Sequence, residues 1–83
     1  MIRVLLFASL REQVGVGSYE LEVDHPAATV ASVMAQLRRL DDQWDEALGA
    51  DNLLCAVNQH QVDSDQALDD GDELAFFPPV TGG

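Results

Sequence analysis

The group best placed to react in this chain is the carboxylate at its end. The sequence closes on Leu74-Ala75-Phe76-Phe77-Pro78-Pro79-Val80-Thr81-Gly82-Gly83. Leu74 to Phe77 are strand formers that need a core to pack on. Pro78 and Pro79 cannot donate ladder hydrogen bonds, so a sheet must stop there and the chain leave it extended. Val80 and Thr81 carry little bulk, and Gly82 and Gly83 carry none. The residues after Phe77 can reach roughly 20 Å when extended, beyond the radius of about 12 Å expected of so short a chain. The sequence therefore predicts a compact body, residues 1–77, with a thin, flexible arm, residues 78–83, ending in an unhindered carboxylate. Chain ends often fray without purpose. A frayed end is usually polar or charged, however, and Pro78 to Gly83 has no charged side chain, which suits insertion into a narrow pocket.

The other chemical candidates fit poorly. Cys55 is the single cysteine and sits in an apolar run, the setting of a buried packing residue. His25 precedes a proline and His60 lies in a turn, so with one cysteine and no paired spacing neither suggests zinc. Asp63, Asp65, Asp69, Asp70, Asp72 and Glu73 are dense enough for calcium, but Ala67 and Leu68 interrupt the alternating ligand pattern, and a solvated turn accounts for them better. No metal site is expected. An iron–sulfur cluster would need more cysteines, and no Ser/His/Asp constellation can be argued. Val14-Gly15-Val16-Gly17 lacks the G-x-x-x-x-G-K spacing of a phosphate cradle. Arg38 and Arg39 could bind an anion, yet the end of a helix also favours positive charge, and that is the simpler account.

Eighty-three residues make one domain. The formal net charge of −11, carried with four arginines and no lysine, argues against nucleic acid, because little here could neutralise a row of phosphates. It favours protein partners with basic docking surfaces. No apolar run is long enough to span a membrane, and the one at Ile2–Phe7 is too short for a signal peptide. A lone cysteine fits a reducing cytoplasm.

The elements that must position the tail follow in order. Ile2 to Ala8 is apolar on both faces, Ile2, Val4, Leu6 and Ala8 against Leu5 and Phe7, and reads as a central strand. Ser9 to Gln13 leads into a glycine-punctuated loop. Ser18 to Asp24 alternates as a half-exposed strand, hairpinned with the first, until His25-Pro26 breaks it. Thr29 is a candidate N-cap for a helix whose apolar face is Val30, Val33, Met34, Leu37 and Leu40. Asp41 to Gly49 forms a second short helix. Leu53 to Asn58 is a strand, a turn follows around Asn58-Gln59-His60, and Gln61-Val62 is a short fourth strand. Gly71 occupies a left-handed turn position, and Glu73 to Phe77 is the last strand. This order predicts an α+β domain, a mixed sheet of about five strands with one main helix on one face and a short second helix. Pairing the first and last strands in parallel at its centre gives the β-grasp, the ubiquitin-like fold. Alternation puts Leu5 with Phe7, and Ala75 with Phe77. If those faces coincide opposite the helix, Phe7, Ala75 and Phe77 form an apolar docking patch beside the tail; otherwise the two phenylalanines are ordinary core.

Over essentially its whole length the chain resembles the small (MoaD-type) subunits of molybdopterin synthase, within the ubiquitin-like sulfur carriers. The resemblance rests on Val4-Leu5-Leu6-Phe7-Ala8 with Arg11-Glu12, on Ala56-Val57-Asn58-Gln59, and above all on Asp70-Gly71-Asp72-Glu73 running into the Phe-Phe-Pro-Pro-Val-Thr-Gly-Gly end. Thiamine-pathway carriers also end in Gly-Gly, but typically are shorter and usually lack the double proline and the Arg-Glu pair. The resemblance implies a carrier that is not itself catalytic and binds no cofactor. An ATP-dependent, ubiquitin-activating-type enzyme would adenylate the Gly83 carboxylate, and a sulfur donor enzyme would convert it to a thiocarboxylate. Pro78, Pro79, Val80, Thr81 and Gly82 would thread into the large synthase subunit, in a heterotetramer of two small and two large subunits. There the sulfur would pass to cyclic pyranopterin monophosphate, making the dithiolene of molybdopterin. The alternatives are a sulfur carrier for thiamine, cysteine or tRNA thiolation, and a ubiquitin-like protein modifier.

Overall fold

The computed structural model describes residues 1–23, 28–50 and 53–78. Five strands form one mixed sheet: β1 (Ile2–Leu6), β2 (Ser18–Leu21), β3 (Leu54–Val57), β4 (His60–Val62) and β5 (Glu73–Phe77), in the order β2-β1-β5-β3-β4. The first and last strands lie side by side and parallel, with Val4 opposite Leu74 and Leu6 opposite Phe76. β3 flanks β5 on its other side, antiparallel. The fold is the β-grasp expected.

Three helices cover one face: α1 (Ala8–Val14), α2 (Val30–Arg38) and α3 (Asp42–Leu48). Their apolar stripes meet the strand residues that point the same way. Ile2, Val4, Leu6, Cys55, Val57, Leu74 and Phe76 join Leu10, Val14, Val33, Leu37, Trp44 and Leu48 in a single core. Trp44 packs edge-on against Tyr19 of β2, ring centroids 5.4 Å apart. Thr29 caps α2 as expected, accepting from Ser32 N while Thr29 N donates to Ser32 Oγ. Asp41 accepts from Trp44 N at the start of α3. The first free N–H groups of α2 donate to the loop before β5, Val30 N to Gln66 O at 3.0 Å and Ala31 N to Ser64 O at 2.7 Å. The acidic segment there thus has a structural task, holding the start of the main helix.

The structure corrects several local expectations. The first strand ends at Leu6, and the segment read as leading into a loop is helix α1. Leu10 and Val14, one turn apart, are both buried, and Gly15 ends the helix at φ +90°. Leu40 lies beyond α2 and is exposed, so it is not part of that helix's buried stripe. β2 stops at Leu21, although Val23 still packs against the core. His60 belongs to β4, which leaves Asn58 and Gln59 as the whole turn. The break expected at His25-Pro26 lies outside the described residues.

That turn has φ +50° at Asn58 and +73° at Gln59, the two left-handed positions of the turn that suits the twist of a two-residue hairpin. Asparagine tolerates this, helped by its side chain: Asn58 Oδ1 accepts from Glu73 N and its Nδ2 donates to Asp72 Oδ1, both at 3.0 Å. Gln59 has no such compensation among the described hydrogen bonds. Replacing it with glycine is expected to raise stability by about 0.5–1 kcal/mol. Urea midpoints at unchanged slope measure this, and a lower midpoint would mean the glutamine side chain makes a stabilising contact.

Candidate functional site

The tail leaves the body where β5 ends. Phe77 is the last strand residue, paired with Leu54 of β3, and half-buried Pro78 follows it. On the β1 side Phe7 N donates to Phe76 O at 3.3 Å. The chain then turns at Ala8, φ +53°, to start α1. A left-handed alanine costs about 1–2 kcal/mol, so this sharp turn between strand and helix must be held by the packing around it.

Strand register fixes which residues share the face that the helices leave open. Leu5, Ala75 and Ala56 form one row across β1, β5 and β3, and Phe77 and Leu54 the next. None of them belongs to the core beneath the helices. Phe7 stands at the margin, 47% exposed, with its ring edge-on to Phe77 at 6.1 Å between centroids and 62° between planes. Ala75 and Ala56 are small enough to be sheltered by their neighbours, at 9% and 7% exposure. The structure therefore brings Phe7, Ala75 and Phe77 together beside Pro78, on the uncovered face and not in the core. Leu54 and Ala56 extend the patch and were not singled out from sequence. Their alternation with Cys55 and Val57 was the available signal. Pro79, Val80, Thr81, Gly82 and Gly83 lie outside the described residues.

The far end of the open face is charged. Arg3 has Glu20 and Glu73 as its register partners, and with Met1 and Gly71 these line a shallow hollow of about 280 Å³. Both signs of charge occur there, without a set of groups converging on one point.

The remaining candidates take structural places. Cys55 points into the covered face, 8% exposed, its thiol 3.3 Å from Val62 O. Burial, with a smaller push from the Asp63 carboxylate, raises its pKa above the ordinary thiol value. A thiol held neutral is a weak nucleophile. Arg38 donates from Nε to Asp45 at 2.7 Å, tying the end of α2 to α3. Its partner Arg39 is the C-cap of α2, so the pair reads as a helix end. His60 lies 3.1 Å from its own turn's Asn58 O. Among the described residues no three His, Cys, Asp or Glu side chains are grouped to hold a metal, and no helix is long and apolar enough to cross a membrane.

A β-grasp body whose central strand runs directly into a Pro-Pro…Gly-Gly segment defines a ubiquitin-like protein. The ThiS family pattern matches residues 4–83, and the chain belongs to that family. It is 49% identical to the molybdopterin synthase sulfur carrier subunit of Escherichia coli (strain K12), over 100% of both chains. Among solved structures it is similar to SAMP1 of Haloferax volcanii, with a TM-score of 0.80, 31% identity, and 99% of this chain and 98% of that one covered. It is also similar to a chain in the complex of subunits 1 and 2 of the molybdopterin-converting factor from Helicobacter pylori, with a TM-score of 0.70, 25% identity, and 99% and 97% covered.

The raised pKa of Cys55 has a sign that can be tested. The fold favours the neutral thiol, so ionisation favours the unfolded chain. This contribution is complete below the ordinary thiol pKa and is lost as pH rises through it toward the raised value. The stability difference between the protein and its Cys55→Ala variant is expected to shrink between about pH 7 and about pH 10. Urea midpoints across that range measure it; a constant difference would place the thiol in a solvated setting.

Proposed function

We propose that this chain is the sulfur carrier subunit of a molybdopterin synthase. The observation that carries the reading is the Phe76-Phe77-Pro78-Pro79-Val80-Thr81-Gly82-Gly83 run issuing from the central strand of a β-grasp body. The full-length likeness to the E. coli sulfur carrier subunit supports it.

The chemistry begins at Gly83. Its carboxylate attacks the α-phosphorus of ATP on an adenylating enzyme, releasing pyrophosphate and forming an acyl-adenylate. A sulfur donor enzyme then supplies sulfide, which displaces AMP and leaves a thiocarboxylate. With no side chain at Gly82 or Gly83, neither approach is hindered. Pro78 to Gly82 carry the thiocarboxylate into the large synthase subunit, which supplies the catalytic side chains. The sulfur passes to cyclic pyranopterin monophosphate, and two deliveries complete the dithiolene. The chain itself holds no cofactor in this scheme, and ATP is consumed on the activating enzyme. The assembly is a heterotetramer of two small and two large subunits, and the lone unpaired Cys55 suits the reducing cytoplasm. The likeness to a chain in the H. pylori complex of subunits 1 and 2 supports a large-subunit partner.

The open-face patch is the docking seat, with Phe7, Ala75 and Phe77 beside the tail root and Leu5 and Leu54 around them. Phe77→Ala is expected to weaken binding of the large subunit by about 30-fold or more, with cooperative unfolding retained. Titration calorimetry and urea unfolding read the two effects separately. Loss of cooperative unfolding would instead make Phe77 a core residue.

The likeness to SAMP1, a small archaeal modifier protein, favours one second reading, a ubiquitin-like protein modifier that uses the same activated Gly83. Intact mass after incubation with ATP, the adenylating enzyme and a sulfide source separates them. The sulfur reading predicts a gain of about 16 Da on Gly83, one oxygen replaced by sulfur. Adenylate formation with no sulfur gain would overturn it in favour of conjugation.

A further inference from the structure

We propose that Arg11 is the charged margin of the docking seat and pairs with a carboxylate on the large synthase subunit. This rests on reading the open face as that seat. The position follows from the chain path. α1 starts one residue after Phe7, and Arg11 lies four residues beyond Phe7, about one helical turn on. Its side chain lies on Gly17, where an added Cβ would sit 3.1 Å from Arg11 Nε and 3.3 Å from Cζ. Gly17 in turn holds the β1 end, its carbonyl accepting from Leu6 N at 3.0 Å. The next residue, Ser18, is the register partner of Leu5. The guanidinium is thus seated at the β1–β2 side of the patch.

Arg11 is also exposed and without an acidic partner among the described residues, where the ion pairs are Met1 with Asp70 and Arg38 with Asp45. That is unexpected in a chain with 15 acidic residues and a net charge of −11. The cause is local. Its neighbours at three and four residues on α1 are Phe7, Ala8, Val14 and Gly15, none acidic, and adjacent Glu12 faces elsewhere on the helix. A cation in the last turn gains from the helix dipole, but the dipole does not require a glycine seat beneath its stem. A fixed, unpaired guanidinium suits bidentate recognition of a carboxylate. On so acidic a chain it is also an orienting signal, since a partner's basic surface would need one acid placed to meet it.

The test is affinity for the large subunit. Arg11→Gln is expected to weaken binding about tenfold or more, with Arg11→Lys falling between it and the wild type. Gly17→Ala keeps the charge but displaces its seat, and is expected to cost several-fold. Arg39→Gln, at the α2 end, should stay within about twofold of the wild type. Urea midpoints check that each variant is folded. Wild-type affinity in Arg11→Gln, with Phe77→Ala still weakened, overturns this proposal and leaves the docking seat standing. Unchanged binding in both overturns the seat as well.

Discussion

The parallel pairing of β1 with β5 is the constraint on which the rest of this molecule depends. A parallel pair cannot be closed by a tight turn, so nearly the whole chain must lie between its two members. That intervening chain supplies the hairpin partner β2, the three helices and β3–β4. All three helices pack on the same face, which gives the sheet one dry side. The two central strands are apolar on both sides, so the same pairing that builds the core leaves Leu5, Phe7, Ala75 and Phe77 on the other face. The docking seat is a by-product of how the core is closed.

Much of this was legible because period-two alternation survives in short strands. Val4 and Leu6 against Leu5 and Phe7, and Leu74 and Phe76 against Ala75 and Phe77, give the central pair and both of its faces. Thr29 before Val30, Asp41 before Trp44, and Gly71 in its turn announced themselves by residue type. Helix α1 did not. Its seven residues hold only two buried side chains, Leu10 and Val14, and it begins at an alanine in a left-handed conformation with no side-chain cap. Alternation running on through Phe7 and Ala8 mimicked a longer strand, and the glycines after Val14 read as a loop.

The candidate site divides along the same line. The patch was half legible: the sequence showed which residues share a face, while only the packing of the helices decided which face was covered. Leu54 and Ala56 joined it through their register with Phe77 and Ala75, which no single strand reveals. Asn58 and Asp72, quoted as separate motif fragments, prove to be hydrogen-bonded partners across 14 positions. Their shared task is to fasten the β3–β4 turn to the first residue of β5, through the side chain and through Asn58 N donating to Glu73 O at 2.8 Å.

That fastening has a mechanical consequence. β5 is gripped at its first residue by Asn58 and along its length by a ladder on either side. Any pull transmitted through the tail acts on its last residue, along the strand axis. The load then falls on two ladders at once in shear, and no ladder can unzip one bond at a time from a free edge. A domain wired in this way can have its terminus drawn into a partner and pulled out again, while the strand that bears the terminus stays in register.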